Sequence, residues 1–376
     1  MNNNISIDQF DAWLKGGSSV AALVMRQWLM PVEGKGAVIF PPTYATPEGK
    51  KETEWLGYNI DRLDNGSSIC QMDSVGSQAN RMEAIFKQAP YSKLVPQVVI
   101  QAGEKKINLL DVGHRAADAI VRFSSIRSEL ESAFSHIRDN GNAEPLAKVA
   151  PTSIVFGSWD SRSTYVKLQR VVRSVIRAFK VDVLHRSAQY TTIAGEILYG
   201  AEVETAVKGA KADLGFAHIP APWKHGGVRV QKDGEIRRDT ALNLVAIRAL
   251  GTASSDNNSE INKDTLNLRR YILGLALVAF TAPQDTSLRE GCQLVPDVDH
   301  QSEWELVHHD GRRETFGLDH TTVLEYAKAA ATAFVVGEDK QAVFKSEEAQ
   351  KELAKSKDQR KAERGRKKPE AEKDEA

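Results

Sequence analysis

Apolar positions along the chain recur with two different spacings, and their irregular succession predicts a protein of mixed helices and strands. Phe10, Trp13 and Leu14, then Leu23, Val24 and Trp28, fall at helical intervals, so Asp8 to Leu29 reads as helix interrupted at Gly16-Gly17. Ala37 to Tyr44 (AVIFPPTY) reads as a strand that the Pro-Pro pair stops. A helix is expected from Ser74 to about Gln88, because Ser74 can cap it and Met82, Ile85 and Phe86 then share a face. Leu94–Gln101 and Lys106–Val112 flank a short turn and predict a hairpin. Asp111 to Asp139 reads as one long amphipathic helix closed by Asn140-Gly141. Pro151–Gly157 (PTSIVFG) reads as an apolar strand, with SWDSR (Ser158–Arg162) as the turn that follows it.

Thr164 to Lys180 carries the clearest face. On a helix, Leu168, Val171, Val172, Val175, Ile176 and Phe179 would oppose Lys167, Arg170, Arg173, Arg177 and Lys180. A helix is expected at Ile197–Ala212, a strand at Leu214–Ile219, and a loop at Pro220–Gly227 bearing Trp223, Lys224 and His225. Val228–Arg238 alternates around Asp233-Gly234 and predicts a hairpin with Arg229, Lys232, Arg237 and Arg238 about its tip. Ala241–Leu250 fits either helix or strand, and Gly251–Ser259 is a polar loop. Asp264–Phe280 reads as a buried helix. Trp304–His309 and Arg312–Leu318 read as a hairpin across Asp310-Gly311, and Thr321–Val336 as a closing helix. No internal repeat is visible, and helices and strands do not alternate regularly, which favours an α+β domain with insertions over a doubly wound sheet. That domain is placed at residues 1–340. From Lys345 to Ala376 the composition is Lys, Glu, Ala, Gln, Asp and Arg with few apolar residues, so this tail is expected to be disordered or a lone solvated helix.

Composition narrows the classes. Of 376 residues, 41% are hydrophobic and 27% charged, enough apolar material for a real core. The most apolar run, Tyr271–Phe280, is too short to span a bilayer, and the first residues lack the basic-then-apolar order of a secretory signal, so a cytoplasmic location is expected. Cys70 and Cys292 are the only cysteines, which supports neither a disulfide framework nor a zinc site, and no metal or cofactor is expected. A formal net charge of zero removes the simplest argument for nucleic acid and shifts the weight to local basic stripes.

Three stretches have chemistry suited to nucleic acid. Ser77, Gln78, Asn80 and Arg81 crowd the first turns of the helix capped by Ser74, where free N–H groups and amide side chains suit a phosphate or a base edge. The five cations of Thr164–Lys180 would track a phosphate backbone, and the Val228–Arg238 hairpin with Trp223 would wedge and stack between nucleotides. Each has a plainer alternative: a capped helix with a wet polar face, a solvated charged face, and a hairpin whose charges guard its edge. Catalysis has little to stand on. His114 and Asp118 are spaced i, i+4, which a structural hydrogen bond explains as well as a base and its orienter. His308 and His309 would point to opposite faces of a strand, and HExxH, GxSxG, P-loop and GxGxxG motifs are all missing.

Several separated segments resemble one family. They are PPTY at Pro41–Tyr44, DSVGSQANRME at Asp73–Glu83, HRAADA at His114–Ala119 and PTSIVFGSWDSR at Pro151–Arg162. KLQRVVRSVIRA at Lys167–Ala178, LNLVAIR at Leu242–Arg248 and LREGCQLV at Leu288–Val295 follow in order. Together they resemble the backbone subunit of type I-G (formerly I-U) CRISPR-associated Cascade complexes, the Csb-one group of the Cas-seven branch of the RAMP superfamily. The first forty residues and the charged tail carry no matching motif, and the Gly-rich loop common near the C-terminus of RAMP proteins is not evident. The resemblance implies an RRM-like, ferredoxin-type core enlarged by helical and hairpin insertions. It further implies a non-catalytic subunit that polymerises along a CRISPR guide RNA and supports its pairing with target DNA. The expected partners are further copies of the chain in a helical filament, the other Cascade subunits and a recruited helicase-nuclease. Val228–Arg238 is then the candidate thumb hairpin. The residues assigned to RNA contact are Ser77, Gln78, Asn80, Arg81, His114, Arg115, Trp159, Arg162, Lys167, Arg170, Arg173, Arg177, Arg237 and Arg238. The competing reading is a RAMP-type endoribonuclease that processes guide precursor through His114 or His185, or cuts target RNA through an acid.

Overall fold

Two stretches with helical spacing, 20–31 and 172–183, are long strands at the centre of the molecule. The structure, a computed structural model, describes residues 7–8, 10–46, 48–49, 57–185, 188–190, 219–221, 226–253 and 261–355. Its main sheet is built on β1 (Val20–Pro31), β2 (Ser68–Asp73), β3 (Val172–Val183) and β4 (Val228–Asn243). In space they run β1-β4-β3-β2, every neighbouring pair antiparallel. The other edge of β1 takes Cys292–Pro296 at one end and Glu303–His308 at the other. Thus β1 and β3 run the same way with β4 between them, and a second crossover leads from β4 through a buried helix to Cys292–Pro296.

Helices cover one face of this sheet. Leu23 and Met25 of β1, Val172 of β3 and Leu242 of β4 join Ala79 and Met82 of α1 (Val75–Ala84) and most of α2 (Lys263–Thr281) in one core. A further long helix, α3 (His320–Phe334), lies against α2. The two approach closely because Gly274 has no side chain: a Cβ there would lie 3.0 Å from the Ala327 Cα. A second, smaller core under the far end of the sheet gathers Leu29, Cys70, Met72, Ile176, Ala178, Ile236 and Cys292.

The differences from the sequence pattern have physical causes. Only Asp11–Leu14 of the expected first helix is helical, because Val20–Pro31 satisfies its backbone along both edges of the strand. Thr164–Lys180 is not helical either: the β-branched residues Val172, Val175, Ile176, Val181 and Val183 build β3. Ser174, Ile176 and Ala178 share the inner face, Ser174 against α1 and the other two in the smaller core, and Arg173, Arg177 and Phe179 point the other way. The five cations therefore do not form a helical stripe. Asp233-Gly234 makes no hairpin. β4 runs straight through it, and Gln231 to Gly234 bulge opposite Lys180, between the pairs Val230–Val181 and Glu235–Phe179. The thumb hairpin expected at 228–238 is absent. Pro151–Gly157 holds the short helix Thr152–Val155; all four residues are buried, so no periodicity could betray it. Asp111–Asp139 is broken by Asp118, which caps Ala119–Arg122, before Arg127–Asn140 ends at Gly141 in the left-handed conformation (φ +71°).

Other expectations match. Val98–Ala102 and Lys105–Asn108 form a hairpin, as do Glu303–His308 and Arg313–Thr315, and α2 and α3 fall where the pattern put them. Ala241–Leu250 divides: the strand ends at Asn243, whose side chain accepts from the Ala246 N–H at 3.0 Å and caps Leu244–Arg248. Ser346–Ala354 is a helix with no buried residue, and the tail past Lys355 lies outside the described residues. So do the helix expected at 197–212, most of the strand at 214–219, the loop residues Trp223, Lys224 and His225, and positions 254–259.

The bulge makes a specific demand at Gly234, where an added Cβ would lie 2.4 Å from the Phe179 carbonyl oxygen. Gly234→Ala is therefore expected to lower stability by about 1–3 kcal/mol, read as a reduced midpoint in urea denaturation.

Candidate nucleic-acid interface

The helix start at Ser74 folds its polar side chains inward. Ser74 caps α1 through its hydroxyl, which accepts from the Ser77 N–H at 3.2 Å. Buried Asp73 accepts from Gln78 Nε2 at 2.6 Å and from Arg81 Nε at 3.1 Å. The Ser174 hydroxyl of β3 donates to Gln78 Oε1 at 2.8 Å, and Arg238 Nε of β4 donates to that hydroxyl at 3.1 Å. Arg81 also reaches the carbonyl oxygens of Ser287 and Leu288, both at 3.3 Å. Burial raises the Asp73 pKa and pushes that of Arg238 down to about 10. Gln78, Arg81 and Arg238 thus tie α1 to β2, β3, β4 and the short strand Ser287–Arg289, and Gln78 and Arg238 are closed to solvent.

A second buried group continues the motif. Arg115 lies 2.7 Å from Glu83, donates to the Gly157 carbonyl at 3.2 Å and to Asn80 Oδ1 at 3.1 Å, and sits over the Phe156 ring. Burial pushes the Glu83 carboxyl up to about 7, with Arg115 pulling the other way. Of the residues first assigned to RNA in this region, Ser77, Asn80 and His114 are exposed, and Arg115 is buried. His114 also offers no catalytic pair with Asp118. That carboxylate accepts from the Ile120 N–H at 3.0 Å and faces only the backbone N–H of His114, at 3.4 Å. Among the described residues no cluster of three or more His, Cys, Asp and Glu side chains could hold a metal ion.

The remaining cations assigned to RNA, Arg238 aside, occupy two connected places. The first is the helix-free face of the sheet. Register puts Arg173 and Arg177 of β3, Arg237 and Asp239 of β4 and Arg26 and Trp28 of β1 on it. Arg237 is held between Glu235 and Asp239, at 2.7 and 2.8 Å, and covers the Phe179 ring. Arg173 and Arg177 have no carboxylate partner among the described residues. The second place is the turn after Ser158–Trp159, which pairs with Lys167–Leu168. Trp159, Arg162, Lys167 and Arg170 are all exposed there. The chain runs directly from this turn into β3, so the two places adjoin. A groove of about 840 Å³ beside the bulge is also lined by Lys35, Arg229 and Lys232, but its acids Asp182, Asp233, Glu235 and Asp297 are already paired.

Sequence reasoning missed Arg26, Trp28 and Phe179, whose spacing with Arg173 and Arg177 becomes visible only once the stretches are read as strands. It missed Asp160 too, because a carboxylate in a basic turn carries no motif of its own.

Residues 23–183 match the model of a family described as CRISPR-associated protein GSU0053 (Cas_GSU0053). That stretch, a little under half of the chain, is similar to this CRISPR-associated family. It includes both β3 and the Trp159 turn, and it starts within the first forty residues, where no motif was matched. No curated protein matches the chain. Among solved structures, Csc2 of Thermofilum pendens aligns over 93% of this chain and 79% of its own at 12% identity, with a TM-score of 0.25. A likeness that loose adds nothing to the geometry.

The buried pair gives two expectations. Arg115→Met leaves Glu83 without its cation and is expected to cost about 3–5 kcal/mol; the double variant with Glu83→Gln should recover most of it in urea denaturation. The Glu83 carboxyl, raised above its ordinary 4.5 to about 7, favours the folded state fully below pH 4.5. That contribution is lost as pH rises through about 7, so Glu83→Gln should flatten the fall in stability over this window.

Proposed function

We propose that the chain is a non-catalytic guide-RNA-binding backbone subunit of a type I CRISPR interference complex, of the I-G kind. The observation that carries this reading is the pair Arg173 and Arg177, exposed and half-exposed on the helix-free face of an antiparallel sheet, without carboxylate partners among the described residues. Two charges held on one face of a strand suit a phosphate backbone, and RNA-binding modules of RRM type use such an uncovered sheet. The strand order supports an RRM-like, ferredoxin-type core. With Cys292–Pro296, β1, β4 and β3 as the four strands, two helical crossovers connect them on the covered face. The similarity of residues 23–183 to a CRISPR-associated family supports the biological setting.

On this reading residues 1–340 act as one domain and the charged tail from Lys345 stands apart from it. Several copies line up head to tail on one guide, a contact between unlike surfaces that does not close into a ring. The guide reads target DNA by base pairing, while this subunit holds the backbone and meets the other Cascade subunits and the helicase-nuclease in the cytoplasm. No helix among the described residues is long and apolar enough to cross a membrane.

When expressed with a repeat array, the protein is expected to copurify with RNA of near-uniform length. Arg173→Gln with Arg177→Gln should lower RNA affinity and reduce the salt slope of log K by about 2, with the far-ultraviolet circular dichroism unchanged. Unaltered RNA retention and slope would remove the sheet face from the interface. Incubation with repeat RNA should give no cleavage products; products that vanish in His114→Ala would overturn the non-catalytic assignment.

A further inference from the structure

Among the described residues Trp159 is the largest side chain left in the open, at 61% exposure, on a segment otherwise tightly fixed. Its two-residue strand pairs with Lys167–Leu168. Buried Asp160, next in the chain, accepts from the N–H groups of Arg162, Ser163 and Thr164 at 3.3, 3.1 and 2.7 Å and from the Thr164 hydroxyl at 2.8 Å. The Asp160 N–H donates to the Val166 carbonyl at 2.9 Å, and the Ser158 hydroxyl reaches the His114 carbonyl at 3.4 Å. Gly157 before it has φ +76°, and a Cβ there would lie 2.9 Å from the Leu168 carbonyl oxygen. The indole is thus mounted on a base that does not have to be ordered when something binds.

Its surroundings indicate what binds. The Lys167 ammonium lies 5.7 Å from the ring centroid, and Arg162 and Arg170 are exposed on the same turn. None of these three cations has a carboxylate partner among the described residues. The acids at the turn are committed elsewhere: Asp160 to the backbone, and Glu131 to Arg127 and Ser163. A flat apolar ring with the Lys167 ammonium over one face and two further exposed cations, Arg162 and Arg170, nearby in the chain complements a ligand that is itself flat and anionic and stacks on the other face.

We propose that Trp159 is a stacking platform for one unpaired base of a single-stranded RNA, with Lys167, Arg162 and Arg170 holding the phosphates on either side of it. This rests on the guide-RNA reading and adds which part of the strand the turn takes. Inside a duplex both faces of each base are covered by its neighbours, so an indole fixed at the surface can stack only on a base that has left the helix or ends it. Because Lys167 and Arg170 lead straight into β3, the same strand can continue from the turn onto Arg173 and Arg177.

The test measures anisotropy of a labelled single-stranded RNA and of the corresponding RNA duplex with the full chain. Trp159→Ala is expected to weaken single-strand binding about 5- to 150-fold, Trp159→Phe to restore most of it, and duplex binding to stay the same in both. Thermal unfolding of each variant should match the parent, since the ring is exposed. Unchanged single-strand affinity in Trp159→Ala, an equal loss for duplex, or displacement of the RNA by polyglutamate as efficiently as by unlabelled RNA would overturn the proposal. If Trp159→Ala is silent while the Arg173 and Arg177 double variant loses RNA, stacking falls and the guide-RNA reading stands. If the parent chain binds no RNA, both fall.

Discussion

The register between β3 and β4 is the constraint on which the rest of the molecule depends. A slip of one residue would turn every side chain of a strand to the opposite face, placing Arg173 and Arg177 in the core and Ile176 and Ala178 in water. Apolar packing alone resists that, but the buried polar chain from Arg238 through Ser174 and Gln78 to Asp73 specifies it. Those partners meet only when Ser174 stands opposite Thr240 and next to Arg238, under α1. In a low-dielectric interior each unmet member would leave an uncompensated donor or acceptor. The DSVGSQANRME segment is therefore first a device for aligning strands, and it makes the outer face possible by fixing what lies on the inner one.

How much of this was legible in the sequence depended on whether burial was one-sided. The helices α1 and α3 and the hairpin across Asp310-Gly311 were readable because caps, turn residues and a one-sided apolar pattern agreed, and α2, buried on all sides, because its apolar run is too long for an ordinary strand. Val20–Pro31 and Val172–Val183 were not, since their apolar residues are dense enough to satisfy periods of 3.6 and of 2 alike. Pairing along both edges then decided for strand. Asp233-Gly234 misled for a related reason: glycine was needed there, but for the close approach to Phe179 rather than for a reversal of the chain. At the site, the arginines were named correctly as charged residues, yet their surroundings were invisible. Arg237, Arg238 and Arg177 lie within a few positions of each other in the strand pair and have three different fates. One is held by two acids, one is buried, and one is left without a carboxylate partner among the described residues.

Net neutrality hides this segregation. Fifty basic and fifty acidic residues cancel over the chain, while locally the turn at Trp159 and the face at Arg173 keep cations whose neighbouring acids are already engaged. A protein arranged this way has little long-range attraction for any polyanion and acts at short distance, where geometry decides the partner. That suits contact that follows shape and spacing rather than bulk charge.

The bulge at Gln231–Gly234 has a consequence for how the chain tolerates change. On one side of it, β3 and β4 continue as the pairs Val228–Val183 to Val230–Val181 toward residues 184–227; on the other lies the register-critical stretch from Glu235 to Leu242. Four residues stand there against one, so a length change or a pull arising beyond Val230 is taken up as local bending instead of travelling along the strands. The face that carries Arg173 and Arg177 is thereby shielded from changes that enter the strand pair at its Val183–Val228 end.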